Sequence, residues 1–169
     1  TKNIVRGFEA FGIYLEAHPE MHGRVGMLAL LDPSRQGIPQ YIAYREQIDD
    51  AARVVNERFG RPGWRPIELD VRDDFNRSVA AYKQYDVLFV NSVSDGLNLV
   101  AKEAPLVNER DGVLVLSENT GACHELGEWS LVVNPFDLVG QAEALHTALE
   151  LPESDRRERA EAVRAHCRS

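Results

Sequence analysis

The chain has 169 residues, of which 44% are hydrophobic and 27% charged, and its formal net charge is −8. This mixture is typical of one soluble globular domain and excludes a disordered chain. The acidic balance argues against a general nucleic-acid surface, because proteins that track phosphates carry a basic excess. The longest apolar runs, such as residues 25–31 and 87–90, have the length of strands rather than of membrane spans.

The two cysteines, Cys123 and Cys167, lie far apart and lack the spacing of a metal site. Two free thiols are therefore expected, which favours a cytoplasmic protein over a disulfide-bonded one. Residues 1–3 are polar and lead into an amphipathic pattern, so no signal peptide is expected in this chain.

Helical and strand patterns alternate along the sequence. A helix is predicted over residues 3–17, and the apolar run at 24–31 predicts a strand covered on both faces. A long helix over 39–59 has proline in its first turn and Gly60 after its end. Further strands are predicted at 64–71, 86–90, 112–116 and 130–133, and further helices at 74–85, from about 97, at 137–149 and at 153–167.

This order predicts an α/β fold, a Rossmann-like doubly wound parallel sheet, because strands joined through helices imply right-handed crossovers. Ligands bind such sheets beyond the carboxyl ends of the strands. Three loops should lie on that edge: the one after Leu31, residues 91–96 and residues 117–121. Because the chain opens on a helix, we expect the first strand to belong to a longer protein.

The strongest local signal is residues 94–103, a glycine-containing turn and helix start directly after a strand. The N–H groups of a first helical turn have no partners inside the helix, and with the helix dipole they attract an anion such as a diphosphate. Gly96 would allow a ligand to approach the backbone closely. The carboxylate of Asp95 could accept hydrogen bonds from sugar hydroxyls, and that of Glu103 from the two hydroxyls of a ribose.

Each of these residues also has a purely structural interpretation. Asp95 could be a helix cap, Asn98 could satisfy a turn, and Glu103 could be a solvated surface residue. Cys123 beside His124 suggests a nucleophile and base, yet adjacent residues rarely face each other, so we interpret Cys123 as a packing residue. Taken together, the residues favour ligand binding without identifying the ligand.

Residues 95–103, Asp-Gly-Leu-Asn-Leu-Val-Ala-Lys-Glu, resemble the Asp-Gly-Met-Asn-Leu-Val-Ala-Lys-Glu signature of trehalose-6-phosphate synthases, with Leu97 as the one departure. The resemblance continues at residues 2–7, 33–35, 112–118 and 133–137, in the family's order. It implies that residues 1–169 are the carboxy-terminal, nucleotide-sugar-binding half of a retaining GT-B glycosyltransferase. It also implies that the amino-terminal acceptor domain, the first strand and a donor-site arginine fall before Thr1, so that the isolated chain should catalyse little or nothing.

The resemblance assigns two residues to catalysis, Lys2 at the donor diphosphate and Asp95 at the donor sugar. It also implies that Arg35 is a second basic contact and that Glu103 binds the ribose. The donor-binding set that it implies is Lys2, Arg35, Asp95, Gly96, Leu97, Asn98, Leu99 and Glu103. Fixed cations and N–H groups can stabilise a leaving diphosphate, so neither a metal nor another cofactor is expected.

The implied reaction transfers glucose from a nucleoside-diphosphate glucose, such as UDP-glucose, to glucose 6-phosphate and gives trehalose 6-phosphate. The expected partners are the nucleotide sugar and a sugar-phosphate acceptor, with no nucleic acid or membrane, and the full-length protein could form a homo-oligomer.

Three further functions fit the same sequence. Residues 103–111 and 134–139 also resemble pseudo-glycosyltransferases of validoxylamine-type aminocyclitol synthesis. Those proteins tend to lose part of the signature that is intact here from Asn98 to Glu103. A glucosylglycerol-phosphate synthase would differ in its acceptor, which the absent domain would select. A non-catalytic sensor would bind the nucleotide sugar and regulate a partner without transferring the sugar.

Overall fold

A computed structural model describes residues 2–33 and 37–169. The chain divides into two compact units. The smaller unit consists of residues 4–74, and the larger consists of residues 1–3 together with residues 75–169. Each unit combines parallel strands with helices.

The described residues of the smaller unit form two helices and two strands. In chain order these are α1 (Ile4–Ala17), a 3-10 turn (Pro19–Met21), β1 (Met27–Leu31), α2 (Pro39–Phe59) and β2 (Ile67–Val71). The strands pair in parallel, with Met27 opposite Ile67 and Leu31 opposite Val71. Both predicted helices are confirmed, and both strands are shorter than predicted.

The apolar stripe of α1 explains why this segment is helical. Phe8, Phe11 and Leu15 recur at helical spacing and are all buried. The facing residues of α2 include Ile48 and Val55, which are buried as well, and the two helices pack on each other. Burial of this shared stripe stabilises both helices.

The prediction that the first strand is covered on both faces was wrong. Leu28 is 45% exposed, and Glu68, which lies opposite it in the register, is exposed too. Alternate residues of a strand point to opposite faces, so this ladder carries one outward-facing side chain from each strand at that level. A continuous apolar run therefore did not require a cover on both sides.

The larger unit has three strands and five helices among its described residues. In chain order these are α3 (Phe75–Gln84), β3 (Val87–Val90), α4 (Leu99–Val107), β4 (Val113–Ser117), α5 (Ala122–Leu126), a 3-10 turn (Gly127–Trp129), β5 (Leu131–Val133), α6 (Leu138–Glu150) and α7 (Glu153–Arg168). The strand order is β3-β4-β5, and both pairings are parallel. The short helix α5 was missed, since the sequence indicated only a turn before it.

The central strand β4 is buried along its whole length, and helices cover both of its faces. Leu114 and Leu116 belong to a core that includes Val163 of α7. Val113 and Val115 belong to a second core on the side of α6. Because helices lie on both faces of a parallel sheet, the predicted α/β, doubly wound class is confirmed. Among the helices of the described part of the chain, none combines the length and hydrophobicity that crossing a bilayer requires.

Candidate functional site

The carboxyl edge of the β3-β4-β5 sheet brings together the segments that follow its three strands. The turn after β3, residues 91–98, is bonded to the turn after β4, residues 118–121, because Gly121 N donates to the carbonyl of Asp95 at 2.8 Å. Residues 134–137 follow β5 at the same edge, and the buried side chain of Asn3 bonds to the carbonyl of Pro135 there. Two of the three loops predicted at this edge are therefore found together.

Asp95 braces the turn that follows β3. One oxygen of its carboxylate accepts hydrogen bonds from Asn98 N at 3.1 Å and from Leu97 N at 3.4 Å. The other accepts from Asn98 Nδ2 at 2.9 Å. The carboxylate thus already binds two of the backbone N–H groups that the sequence suggested for a diphosphate. Asp95 therefore stabilises the turn, as its structural interpretation predicted.

Asn98 is the residue at which the turn becomes helix α4. Its backbone is in the left-handed region, with φ of 44°, which asparagine tolerates better than most residues. Its Oδ1 accepts a hydrogen bond from Ala101 N at 3.0 Å, so Asn98 is the N-cap of α4. One asparagine therefore closes the turn and begins the helix.

Two glycines at this edge differ in the space around them. A Cβ built on Gly121 would collide with the carbonyl oxygen of Gly96, so this position accepts no side chain without rearrangement. A Cβ built on Gly96 has no heavy atom of another described segment within 4 Å. Contacts within the protein therefore do not explain the glycine at position 96. A glycine without such contacts is expected where a ligand approaches the backbone closely.

The outer surface of the turn is apolar and open, and it is continuous with an acidic helix position. Leu97 is 53% exposed and Leu99 is 55% exposed. Glu103 lies four residues after Leu99 on α4 and is exposed. Residues four apart on a helix lie on the same face, so Glu103 extends the surface that begins at Leu99.

An ion pair holds the face of α4 that carries Lys102. Lys102 Nζ lies 2.6 Å from Glu125 Oε1, and His166 Nε2 lies 3.6 Å from the other oxygen of Glu125. The hydrogen bond from Lys102, with a smaller contribution from His166, lowers the pKa of the Glu125 carboxyl. Lys102 of the 95–103 motif therefore anchors α4 to α5 rather than facing away from the fold.

A set of side-chain amides at the ends of β3 and β5, two of them buried, was not predicted from the sequence. Asn3 and Asn91 bond to each other's backbone carbonyls, each at 3.1 Å. Asn91 Nδ2 also donates to Gln141 Oε1 at 3.0 Å. The available signal was the presence of amide residues beside buried strand ends, where polar groups need partners. Lys2 is exposed and immediately precedes Asn3.

The remaining predictions concern Arg35, the two cysteines and a metal site. Arg35 lies outside the described residues, as does the middle of the loop after Leu31. Cys123 and Cys167 are free thiols. Burial raises the pKa of both thiols, which is opposite to the activation of a nucleophile. Within residues 2–33 and 37–169, no three histidine, cysteine, aspartate or glutamate side chains are grouped as a metal site would need.

Solved structures of trehalose-phosphate synthases share this fold. An alpha,alpha-trehalose-phosphate synthase (UDP-forming) from Burkholderia xenovorans, in complex with glucose-6-phosphate, is 33% identical with a TM-score of 0.94, covering 99% of this chain and 37% of that one. An E. coli structure bound with UDP-2-fluoro glucose is 31% identical with a TM-score of 0.93, covering 99% of this chain and 38% of that one.

Three curated relatives carry the names of enzymes with different products. A bifunctional trehalose-6-phosphate synthase/phosphatase of Thermoproteus tenax is 38% identical over 99% of this chain and 23% of its own length. A validamine 7-phosphate valienyltransferase of Streptomyces hygroscopicus is 39% identical over 96% of this chain and 31% of its own length. A glucosylglycerol-phosphate synthase of Pseudomonas anguilliseptica is 36% identical over 92% of this chain and 21% of its own length.

The chain therefore spans less than a third of the length of these relatives. The model of glycosyltransferase family 20 matches residues 1–168, which is nearly the whole chain. The similarity extends through both compact units and includes the turn and helix that form the candidate site. The chain belongs to glycosyltransferase family 20.

Proposed function

We propose that residues 1–169 form the nucleotide-sugar-binding domain of a retaining glucosyltransferase that uses glucose 6-phosphate as its acceptor. The observation that carries this proposal is the turn of residues 95–99, whose backbone is open at Gly96 while Asp95 and Asn98 fix its shape. Such a turn at the carboxyl edge of a parallel sheet offers aimed N–H groups to an anion.

The hydrogen bonds of Asp95 reduce the number of backbone N–H groups in the turn that could bind the donor. Since its carboxylate accepts from the N–H groups of Leu97 and Asn98, we assign the diphosphate to the N–H groups of Gly96 and Leu99 and to the ammonium group of Lys2. Glu103 would accept hydrogen bonds from the ribose hydroxyls. The assignment of Arg35 as a second cation rests on the family resemblance alone.

These groups suit a reaction in which negative charge develops on a leaving group. The bond between the anomeric carbon and the diphosphate breaks, and a bond to the acceptor hydroxyl oxygen forms on the same face of the sugar. The proton of that hydroxyl passes to the leaving phosphate. Lys2 and the aimed N–H groups would stabilise the charge of the diphosphate without a metal ion.

The acceptor is the least determined part of the proposal. The resemblance assigns acceptor binding to a domain outside residues 1–169, so we expect this chain alone to bind donor without efficient transfer. The glucose-6-phosphate complex of the Burkholderia relative favours that acceptor. The validamine 7-phosphate valienyltransferase, at 39% identity, supports an aminocyclitol coupling enzyme as the second candidate. A cytoplasmic location stays a prediction from the two free thiols.

Calorimetric titration of the chain with UDP-glucose, GDP-glucose and ADP-glucose tests donor binding. We expect saturable binding of one of them, and a loss of about tenfold to 100-fold in affinity in Glu103→Ala, the range expected for a lost hydrogen bond to a charged group. Glu109→Ala is the matched control, because Glu109 is an exposed glutamate just beyond the end of α4. An equal loss in both variants, or no binding by the chain or the natural polypeptide that carries it, would overturn the proposal.

A transfer assay on the natural polypeptide identifies the acceptor. Glucose 6-phosphate, validamine 7-phosphate and glycerol phosphate are each supplied with the donor that binds, and the products are separated by mass spectrometry. Trehalose 6-phosphate as the main product is the expected result. Donor binding without transfer to any acceptor would favour the nucleotide-sugar sensor instead.

A further inference from the structure

Three side-chain amides, those of Asn3, Asn91 and Gln141, join the segment that carries Lys2 to the ends of two strands. Asn3 and Gln141 are buried, and Asn91 is half-buried. Asn3 is 6% exposed, and its Nδ2 donates to the carbonyls of Pro135 at 2.6 Å and of Asn91 at 3.1 Å. Asn91 Nδ2 donates to the carbonyl of Asn3 at 3.1 Å. These bonds hold residue 3 against the segments that follow β3 and β5.

Gln141 completes the network from helix α6. Its side chain is fully buried, and its Oε1 accepts a hydrogen bond from Asn91 Nδ2 at 3.0 Å. Its Nε2 lies within 3.0 to 3.3 Å of three carbonyl oxygens in the segment after β5, those of Asn134, Pro135 and Asp137. A buried amide is costly unless it is hydrogen-bonded, and the NH2 groups of both buried amides, Asn3 and Gln141, have carbonyl partners.

The network has a geometric consequence for the candidate site. Asn91 is the first residue after β3 and therefore begins the turn that contains Asp95. Asn3 is joined by one peptide bond to Lys2, and Lys2 is exposed. The amides thus fix the backbone that carries Lys2 to the same strand end from which the Asp95 turn starts.

We propose that Asn3, Asn91 and Gln141 are positioning residues that place Lys2 at the donor diphosphate. This inference rests on the proposed function, because it assumes that Lys2 contacts the donor. Lysine is a compact charge on a flexible stem, so the backbone position at its root sets where the ammonium group can reach. Loss of the network should therefore weaken donor binding by way of Lys2, with Asp95 and Glu103 left in place.

A double-mutant cycle on the natural polypeptide, with UDP-glucose as the probe, separates this role from a general structural one. Lys2→Ala should weaken UDP-glucose binding by about tenfold to 100-fold, since a hydrogen bond to a charged group is lost. Asn3→Ala alone should weaken it by about threefold to tenfold. In the Lys2→Ala background, Asn3→Ala should cause no further loss, because the residue that it positions is already gone.

Asn108→Ala is the matched control for destabilisation. Asn108 is 8% exposed and makes four side-chain hydrogen bonds in the same unit, at the far end of α4. It should lower the unfolding temperature as Asn3→Ala does while leaving UDP-glucose affinity unchanged. If Asn3→Ala does not fold, Asn3→Ser, which retains one donor, enters the same cycle with the same expectation.

The outcomes distinguish this inference from the proposed function. Additive losses in the cycle, or equal losses of affinity in Asn3→Ala and Asn108→Ala, would overturn the positioning role alone. An unchanged affinity in Lys2→Ala would overturn the donor contact of Lys2 and the positioning role together. No loss in Asn3→Ala, with the expected loss in Lys2→Ala, would show that the network is structural only.

Discussion

The turns after β3 and β4 are hydrogen-bonded to each other, yet the residues beside that bond differ in exposure. The turn after β4 is anchored in the core, although Glu118 and Asn119 are exposed: Thr120 is 1% exposed. Ser117, the last residue of β4, is fully buried, and its hydroxyl donates to the carbonyl of Ser92 at 2.7 Å. The turn after β3 is open, with Leu97 and Leu99 more than half exposed. The difference supports the proposal that one turn holds the other in place while the open turn binds the donor.

Gly121→Ala should lower the free energy of unfolding more than any other substitution considered at these turns. A Cβ at position 121 collides with the carbonyl oxygen of Gly96, so the two turns must separate. Overpacking of this kind costs about 1 to 3 kcal/mol, and the free energy of unfolding should fall by that amount in urea denaturation. An unchanged midpoint and slope would contradict the close contact between the turns.

Asn98→Ala should have the next largest effect on stability. The substitution removes the cap to Ala101 N and the bond to Asp95, and it places alanine at a φ of 44°. A loss of about 1 kcal/mol is expected for the cap alone. Asn98→Gly also loses both side-chain bonds but accepts the left-handed backbone, so it should cost less. Equal losses in both variants would show that the backbone conformation contributes nothing.

Gly96→Ala, unlike Gly121→Ala, should change the binding of the nucleotide sugar and not the stability of the fold. The added Cβ meets open space, so the free energy of unfolding should stay within about 0.5 kcal/mol of the parent. Affinity for the nucleotide sugar should fall, since the methyl group would stand between the backbone and the donor. An unchanged affinity, measured by the same calorimetry, would remove Gly96 from the donor site.

The smallest expected effect concerns the ion pair beside the site. The pKa of Glu125 is lowered from its ordinary value of 4.5, mainly by the hydrogen bond from Lys102. A lowered pKa in the folded state means that the contribution to stability is present above about pH 4.5 and is lost as the pH falls through the lower folded pKa. The difference in unfolding temperature between the parent and Glu125→Gln should therefore be largest near neutral pH and shrink in acid. A constant difference across this range would contradict the ion pair.

Sequence periodicity was sufficient for most of the fold. The stripe of Phe8, Phe11 and Leu15 defined α1, and the apolar run around Leu114 and Leu116 defined β4, because burial requires those spacings. The cover over Leu28 was predicted wrongly, since an apolar run does not specify which of its faces is packed. Helix α5 was missed because five residues are too few to show a helical period.

The site was predictable only in part. The 94–103 segment was identifiable as a turn before a helix, but the hydrogen bonds from the Leu97 and Asn98 N–H groups to Asp95 depend on backbone angles that residue types do not specify. The hydrogen bonds of the Asn3, Asn91 and Gln141 network join residues up to 132 positions apart, so amide residues beside strand ends could be noticed in the sequence but their partners could not. Long-range hydrogen bonds appear only when the fold has placed the partners together.

Backbone amide chemical shifts recorded during a titration with UDP-glucose test the central claim most directly. If the open turn holds the donor, the largest shifts should occur at Gly96, Leu99 and Glu103, with smaller ones in the supporting turn of residues 118–121. Shifts that saturate at the same ligand concentration for these residues would establish one site. Shifts confined to other parts of the chain, or larger in residues 118–121 than in residues 95–103, would contradict donor binding at the open turn.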